Sequence, residues 1–107
     1  MIEISKADWK LFRERLPKWQ EHYLERLTKE YIELLSSSKP ASSRFWELEK
    51  RIKEDRRHPG VILEMRRSRA PWNIASLLEE NVITLEDLDG FSQDLIDEVR
   101  LLLRKYS

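Results

Sequence analysis

Side chains that could carry acid–base or nucleophilic chemistry are few in this chain of 107 residues. The two histidines are His22 and His58, and there is no cysteine, which excludes a thiolate nucleophile and a zinc–thiolate site. His22 precedes Glu25 by three residues, and this pair could form at most half of a metal site. The Glu-x-x-His motif of di-iron bundles is absent, because it would need a glutamate at the position of Trp19. We therefore expect no catalytic residue, metal or cofactor, and a protein that is not an enzyme.

The only glycines, Gly60 and Gly90, are too few for a phosphate-binding glycine-rich loop, which excludes nucleotide binding by the common motifs. Twenty basic side chains balance 20 acidic ones, so net charge favours neither nucleic acid nor an anionic membrane as partner. No stretch approaches the roughly 20 apolar residues of a membrane-spanning helix. We expect no membrane association, and the acidic residues Glu3 and Asp8 near the amino terminus, with no apolar run beside them, favour the cytoplasm over secretion.

The charges are balanced in total but not along the chain. Residues 50–69 carry a net charge of +5 and residues 70–107 a net charge of −5. The basic block contains five arginines on both sides of a His58-Pro59-Gly60 turn: Arg56, Arg57, Arg66, Arg67 and Arg69. The two blocks could neighbour each other or solvate outer faces. Alternatively, if the chain doubles back at the turn, the five arginines could form one patch for phosphate or carboxylate groups.

The four tryptophans could stack on nucleic-acid bases or fill a core. Trp9, Trp19 and Trp72 have apolar neighbours at helical spacing, which favours the core. Trp46 lies off the apolar face of its predicted helix, formed by Phe45, Leu48 and Ile52. Trp46 is therefore our candidate for an aromatic residue at an interface.

Helix signals dominate the chain, and every long apolar pattern repeats at 3.6 residues. Ser5 and Asp8 form a capping-box pattern for a first helix to about Arg15, and Pro17 predicts a kink or a break at the start of a long second helix that ends near Leu35. A serine-rich loop precedes a third helix that begins at Ser42 or Ser43 and ends near Arg57. The second and third helices are expected to pack antiparallel.

The carboxyl-terminal half predicts shorter elements. The segment from Val61 to Arg67 fits a helix or a strand, and we favour a helix because no partner strand is visible. A helix follows from Pro71 to about Asn81, and Thr84 with Asp87 caps a single turn. The last helix has Ser92 as its cap and an inner stripe that includes Leu95, Val99 and Leu102. The prediction is a single-domain all-α helical bundle over residues 1–107 with about five or six helices.

Three stretches resemble a family of short cytosolic proteins of Firmicutes, particularly gut species. They are Ser5-Lys6-Ala7-Asp8-Trp9-Lys10-Leu11-Phe12, Phe45-Trp46-Glu47-Leu48-Glu49-Lys50-Arg51-Ile52, and Val82-Ile83-Thr84-Leu85-Glu86-Asp87-Leu88 with Phe91-Ser92. Members of that family often carry the label "multidrug transporter", which conflicts with the lack of a membrane-spanning segment here. The resemblance implies a bacterial cytosolic setting and assigns no catalytic or binding residue.

The sequence thus favours a small non-enzymatic bacterial protein that binds another protein or associates with itself as a homodimer. The alternative is a nucleic-acid-associated accessory protein that uses the arginine block. A helix-turn-helix in the last third is disfavoured, since residues 79–98 hold eight carboxylates and no Lys or Arg, and phosphate would repel them.

Overall fold

The computed structural model describes residues 3–106, apart from the side chain of Tyr106. Within this part of the chain there are four α-helices, α1 (Lys6–Leu35), α2 (Ala41–Asp55), α3 (Ala70–Glu79) and α4 (Gln93–Tyr106), and two 3-10 turns, Arg67–Arg69 and Leu85–Leu88. None of residues 3–106 is in a strand, which confirms the all-α class. The expected count of five or six helices is wrong. No helix in the described chain combines the length and apolar character needed to cross a membrane.

Helix α1 continues through Pro17, so of the predicted kink or break the break is wrong, and the two predicted helices are one. A proline removes one hydrogen bond, here to the carbonyl of Arg13, and Pro17 and Arg13 both lie on the exposed side, where water can take that bond. The buried residues Phe12, Leu16 and Trp19 stand on either side of the proline and anchor both halves of the helix to the core. Tertiary packing therefore outweighs the local cost of the proline.

Helix α2 returns along the second half of α1 and forms a helical hairpin with it. The contacts run antiparallel: Arg44 donates to the carbonyl of Leu35 at 2.7 Å, and Asp55 accepts from the Tyr31 hydroxyl at 2.5 Å. The start and end of α2 lie within two residues of the prediction. Its burial does not follow the prediction, because none of its residues is buried.

Residues 62–66 are neither helix nor strand, so the favoured helix there is wrong. This extended segment, called here the strap, alternates between partly buried and exposed residues, and Leu63 and Met65 pack against the core. Successive side chains of an extended chain point to opposite sides. This explains why burial alternates from one residue to the next although no partner strand is present within residues 3–106. Asn73 of α3 holds the strap by donating to the carbonyl of Glu64 at 3.0 Å.

The core lies between the first half of α1, α3, the Leu85–Leu88 turn and α4. The predicted stripe of Leu95, Val99 and Leu102 is buried there. The Ser92 hydroxyl caps α4, as predicted, by accepting from the amide of Leu95 at 3.2 Å.

Asp8 connects the beginnings of α1 and α4. Its amide donates to the Ser5 hydroxyl at 3.1 Å, as the capping pattern predicts. Its buried carboxylate instead accepts from the Ser92 amide at 2.9 Å and from the Ser92 hydroxyl at 2.5 Å. A carboxylate at this end of a helix also stabilises its dipole.

Candidate interaction surface

The five arginines of the basic block fall into two groups at opposite ends of α3. Arg56 and Arg57 directly follow α2, and the neighbouring His58 lies 3.3 Å from the carboxylate of Glu80, just beyond the end of α3. Arg66, Arg67 and Arg69 directly precede α3. Since α3 has ten residues, these ends are about 15 Å apart. The strap runs between them along α3, so the chain does not fold back on itself at the Pro59-Gly60 turn.

Three of the five arginines have partners of their own. Arg67 donates through Nε and Nη2 to the carbonyl of Ile4, at 3.2 and 2.8 Å, and so joins the strap to the amino-terminal segment. Arg66 forms an exposed ion pair with Glu64 at 2.6 Å. Arg69 stacks over the ring of Trp72 with 5.8 Å to the ring centroid.

The basic and acidic blocks do not neutralise each other through these arginines. Over residues 3–106 none of the five forms an ion pair with a carboxylate of residues 79–98, and His58 with Glu80 joins the two blocks. Within the same part of the chain, no side-chain partner is found for Arg56 or Arg57. The binding role assigned to the block stays a prediction.

His58 anchors the turn that leads from the hairpin into the strap. Its ring stacks on Tyr23 with centroids 4.4 Å apart and planes 3° from parallel. Its Nδ1 accepts from the amide of Gly60 at 3.0 Å, which leaves Nε2 to face Glu80. Gln20 adds a hydrogen bond to the carbonyl of Pro59 at 3.1 Å. This role of His58 was not predicted from the sequence, although its position beside a Pro-Gly turn was a signal for it.

The largest departure from the sequence prediction is an exposed apolar surface on the hairpin. Phe45 and Ile52, expected to face inward with Leu48, are 61% and 44% exposed, while Leu48 is partly buried. Trp46, expected to differ from the buried tryptophans, is 61% exposed and meets the ring of Phe45 edge-on at 4.9 Å. Two exposed residues of α1 complete the set. We call this surface the hairpin patch: Ile32, Leu35, Phe45, Trp46 and Ile52.

Polar contacts take the place of an apolar seam between α1 and α2, which explains why the apolar side chains are left outside. Arg51 lies 3.2 Å from Glu30 and 3.6 Å from Asp55. It also covers the ring of Tyr31, 5.4 Å from the centroid. Burial, and then the hydrogen bond to the Asp55 carboxylate, raise the pKa of Tyr31 to about 12. The inner side of the hairpin is therefore a charged cluster, and α2 has no buried apolar face.

A second exposed apolar feature lies between the Leu85–Leu88 turn and α4. A groove of about 490 Å³ is lined by Leu85, Leu103, Asp97, Arg100 and Arg104. Leu85 and the nearby Leu101 of α4 are each 47% exposed. The rim of the groove carries charges of both signs, and among the described residues no pair of aromatic residues like the one on the hairpin lines it.

The other predicted site features lie apart. Trp19 is buried, and Trp9 and Trp72 pack beside the core as expected. His22 is exposed on α1. Across the part of the chain that the structure describes, no group of three or more His, Asp or Glu side chains could hold a metal ion.

Comparisons with protein-family models, with curated proteins and with solved structures each find no match to this chain. The likeness to the Firmicutes family therefore stays a resemblance, and the site must be judged on its own geometry.

Proposed function

We propose that this protein is a non-enzymatic interaction module that binds a protein chain through the hairpin patch. One observation carries the proposal: Phe45 and Trp46 lie in edge-on contact, both mostly exposed, on a helix that has no buried residue. Aromatic residues are enriched at the energetic centres of protein interfaces, and contiguous exposed apolar patches larger than a few hundred Å² are rare on monomeric proteins. We place its action in the bacterial cytoplasm, as the family resemblance implies.

The charge around the patch supports a protein partner over a polyanion. Between residues 28 and 57 there are eight basic and six acidic side chains, and several of them are paired with each other. A nucleic-acid surface usually carries a clear excess of unpaired cations. The hairpin therefore suits a partner that buries aromatic rings and meets a mixed polar rim.

Photo-crosslinking in living cells tests this function directly. A photoreactive phenylalanine analogue at position 45 should form adducts with protein, whereas the same analogue at position 101 of α4 should not. Position 101 is a matched control because Leu101 is also an exposed apolar residue of a helix. Equal labelling from both positions, or none from position 45, would contradict the proposal.

The second candidate, a nucleic-acid accessory protein, rests on the unpartnered Arg56 and Arg57. Its support is weaker, because the other three arginines have partners and lie at the far end of α3. Gel shifts with random duplex at several salt concentrations separate the two. Phosphate contacts lose affinity steeply as salt rises, so binding that is absent at low salt eliminates this candidate.

A further inference from the structure

The geometry of the hairpin points to a second copy of this chain as the occupant of the hairpin patch. We infer a twofold-symmetric dimer in which the hairpins of two copies pack face to face as two layers of two helices each. This inference rests on the proposed function and names its partner.

Helix geometry places most of the patch on one face of the hairpin. Ile32, Phe45 and Ile52 each directly follow a residue that contacts the other helix: Tyr31, Arg44 and Arg51. One residue further along an α-helix is a rotation of about 100°. Because α1 and α2 are antiparallel, this rotation turns all three side chains to the same side of the hairpin. The patch is thus a face that another flat helical surface can cover.

The hairpin lacks the second layer that helices of this length normally have. A 15-residue helix in isolation is marginal in water, and most helical stability in proteins comes from burying an apolar face. No residue of α2 is fully buried in its own chain, and α2 contacts the rest of the protein mainly through α1. A second hairpin would supply the missing layer and complete a four-helix arrangement.

Charge complementarity favours a second copy over a strongly charged partner. At a twofold axis the same surface meets itself, so a patch bordered by one sign of charge would repel its copy. Helix geometry puts Glu25 and Lys29 of α1, and Glu49 and Arg56 near α2, on the border of the patch. Two acids and two bases in alternation can pair with the same set rotated by 180°.

The exposed area is of the right size for the centre of such an interface. Aromatic side chains can bury roughly 150–250 Å² each, so two rings that are 61% exposed offer roughly 180–300 Å². A stable interface covers about 800 Å² on each partner. The three aliphatic residues of the patch and the polar side chains around it would supply the remainder.

Sedimentation equilibrium of the purified full chain tests the inference. We expect the wild type at roughly 100 µM to have twice the mass of the 13.0 kDa chain, since an interface with a Kd below about 10 µM is then mostly formed. The double variant Phe45→Glu/Trp46→Glu should be monomeric, with dimerisation weakened at least about 100-fold. The matched control Leu85→Glu/Leu101→Glu adds the same charge to equally apolar positions outside the patch and should remain dimeric.

Circular dichroism of each variant checks that the fold is retained, and Ile32→Glu/Ile52→Glu gives an independent second disruption. A wild type that is monomeric at roughly 100 µM overturns the dimer, as does a dimer that survives both patch variants. The proposed function is separable from this result. Crosslinks from position 45 to a different protein would uphold an interaction module while a monomeric wild type removes the second copy as its partner.

Discussion

At the scale of single residues, Gly60 is the position where the turn beside His58 tolerates no side chain. A Cβ atom there would overlap the ring of Tyr23, which stacks on His58. We expect Gly60→Ala to lower the free energy of unfolding by roughly 1–3 kcal/mol, the usual range for overpacking. Urea denaturation should show that most of this cost disappears in a Tyr23→Ala background, because the clashing ring is then gone.

Gly90 is the control for this prediction. Its φ of +95° favours glycine regardless of its neighbours, and a Cβ atom there meets Nη2 of Arg15 at 2.8 Å. Gly90→Ala should therefore destabilise equally in the presence and absence of Tyr23. If the Tyr23→Ala background leaves the cost of Gly60→Ala unchanged, the contact with the ring is not the reason for the glycine.

Tyr31 makes the hairpin sensitive to alkaline pH. Its folded pKa of about 12 lies above the ordinary value of 10 because of burial and the hydrogen bond to Asp55. A raised folded pKa means that this contribution to stability is fully present below pH 10 and is lost between about pH 10 and 12. Tyr31→Phe should cost about 0.5–1.5 kcal/mol at pH 8 and reduce the alkaline loss. Thermal melts from pH 8 to 12 decide this, and an unchanged alkaline slope would contradict it.

At the scale of elements, local signals predicted helix ends better than helix faces. The start of α1 at Ser5, the cap of α4 at Ser92 and the box of Thr84 with Asp87 follow from short-range hydrogen bonds, and all three form. The face of α2 depends on which side chains of α1 it meets. Since Tyr31 and Glu30 provide polar partners there, Arg51 turns inward and Phe45 outward, which the spacing of apolar residues does not reveal.

The candidate site was likewise predictable in part from the sequence. The sequence was enough to predict that Trp46 lies off the expected inner face of its helix. It was not enough to predict that Phe45, Ile32 and Ile52 lie on the same surface, because that depends on the antiparallel packing of α1 and α2. For the arginine block, the sequence showed the excess of basic residues but not their positions in space. Its division into two groups follows from the extended strap, which begins within the apolar run Val61-Ile62-Leu63, and such a run fits a helix and a strand equally well.

Pro17 leads to a prediction at this scale. Because α1 is continuous and the proline is exposed, Pro17→Ala would restore a backbone hydrogen bond without disturbing the core. Proline inside a helix costs about 3 kcal/mol relative to alanine, so we expect the variant to be more stable by roughly 1–3 kcal/mol in urea denaturation. Pro71 is the control. It lies in the first turn of α3, where proline is well tolerated, and it is buried, so Pro71→Ala should not stabilise. A destabilised Pro17→Ala would mean that the proline is needed for the course of α1.

At the scale of the whole molecule, the shape is elongated because α1 is longer than the core that it serves. The radius of gyration is 16.6 Å and the long axis 52 Å, whereas a compact chain of this length would have a radius of about 13 Å. The first half of α1 packs against α3 and α4, and its second half carries α2 away from them. The hairpin patch therefore lies on an arm that projects beyond the core, where a partner can approach it without meeting α4.

The length of the dimer can be predicted from this shape and measured by small-angle X-ray scattering. Two protomers of 52 Å that overlap along the roughly 22 Å length of α2 would form a particle about 80 Å long. We expect the wild type at dimer-forming concentration to approach this length, and Phe45→Glu/Trp46→Glu to return to a maximum dimension near 52 Å. The Leu85→Glu/Leu101→Glu control should scatter like the wild type. A dimer no longer than one protomer would contradict this antiparallel overlap of the hairpins, and the loss or survival of that dimer in Phe45→Glu/Trp46→Glu would then decide whether the hairpin patch forms the contact.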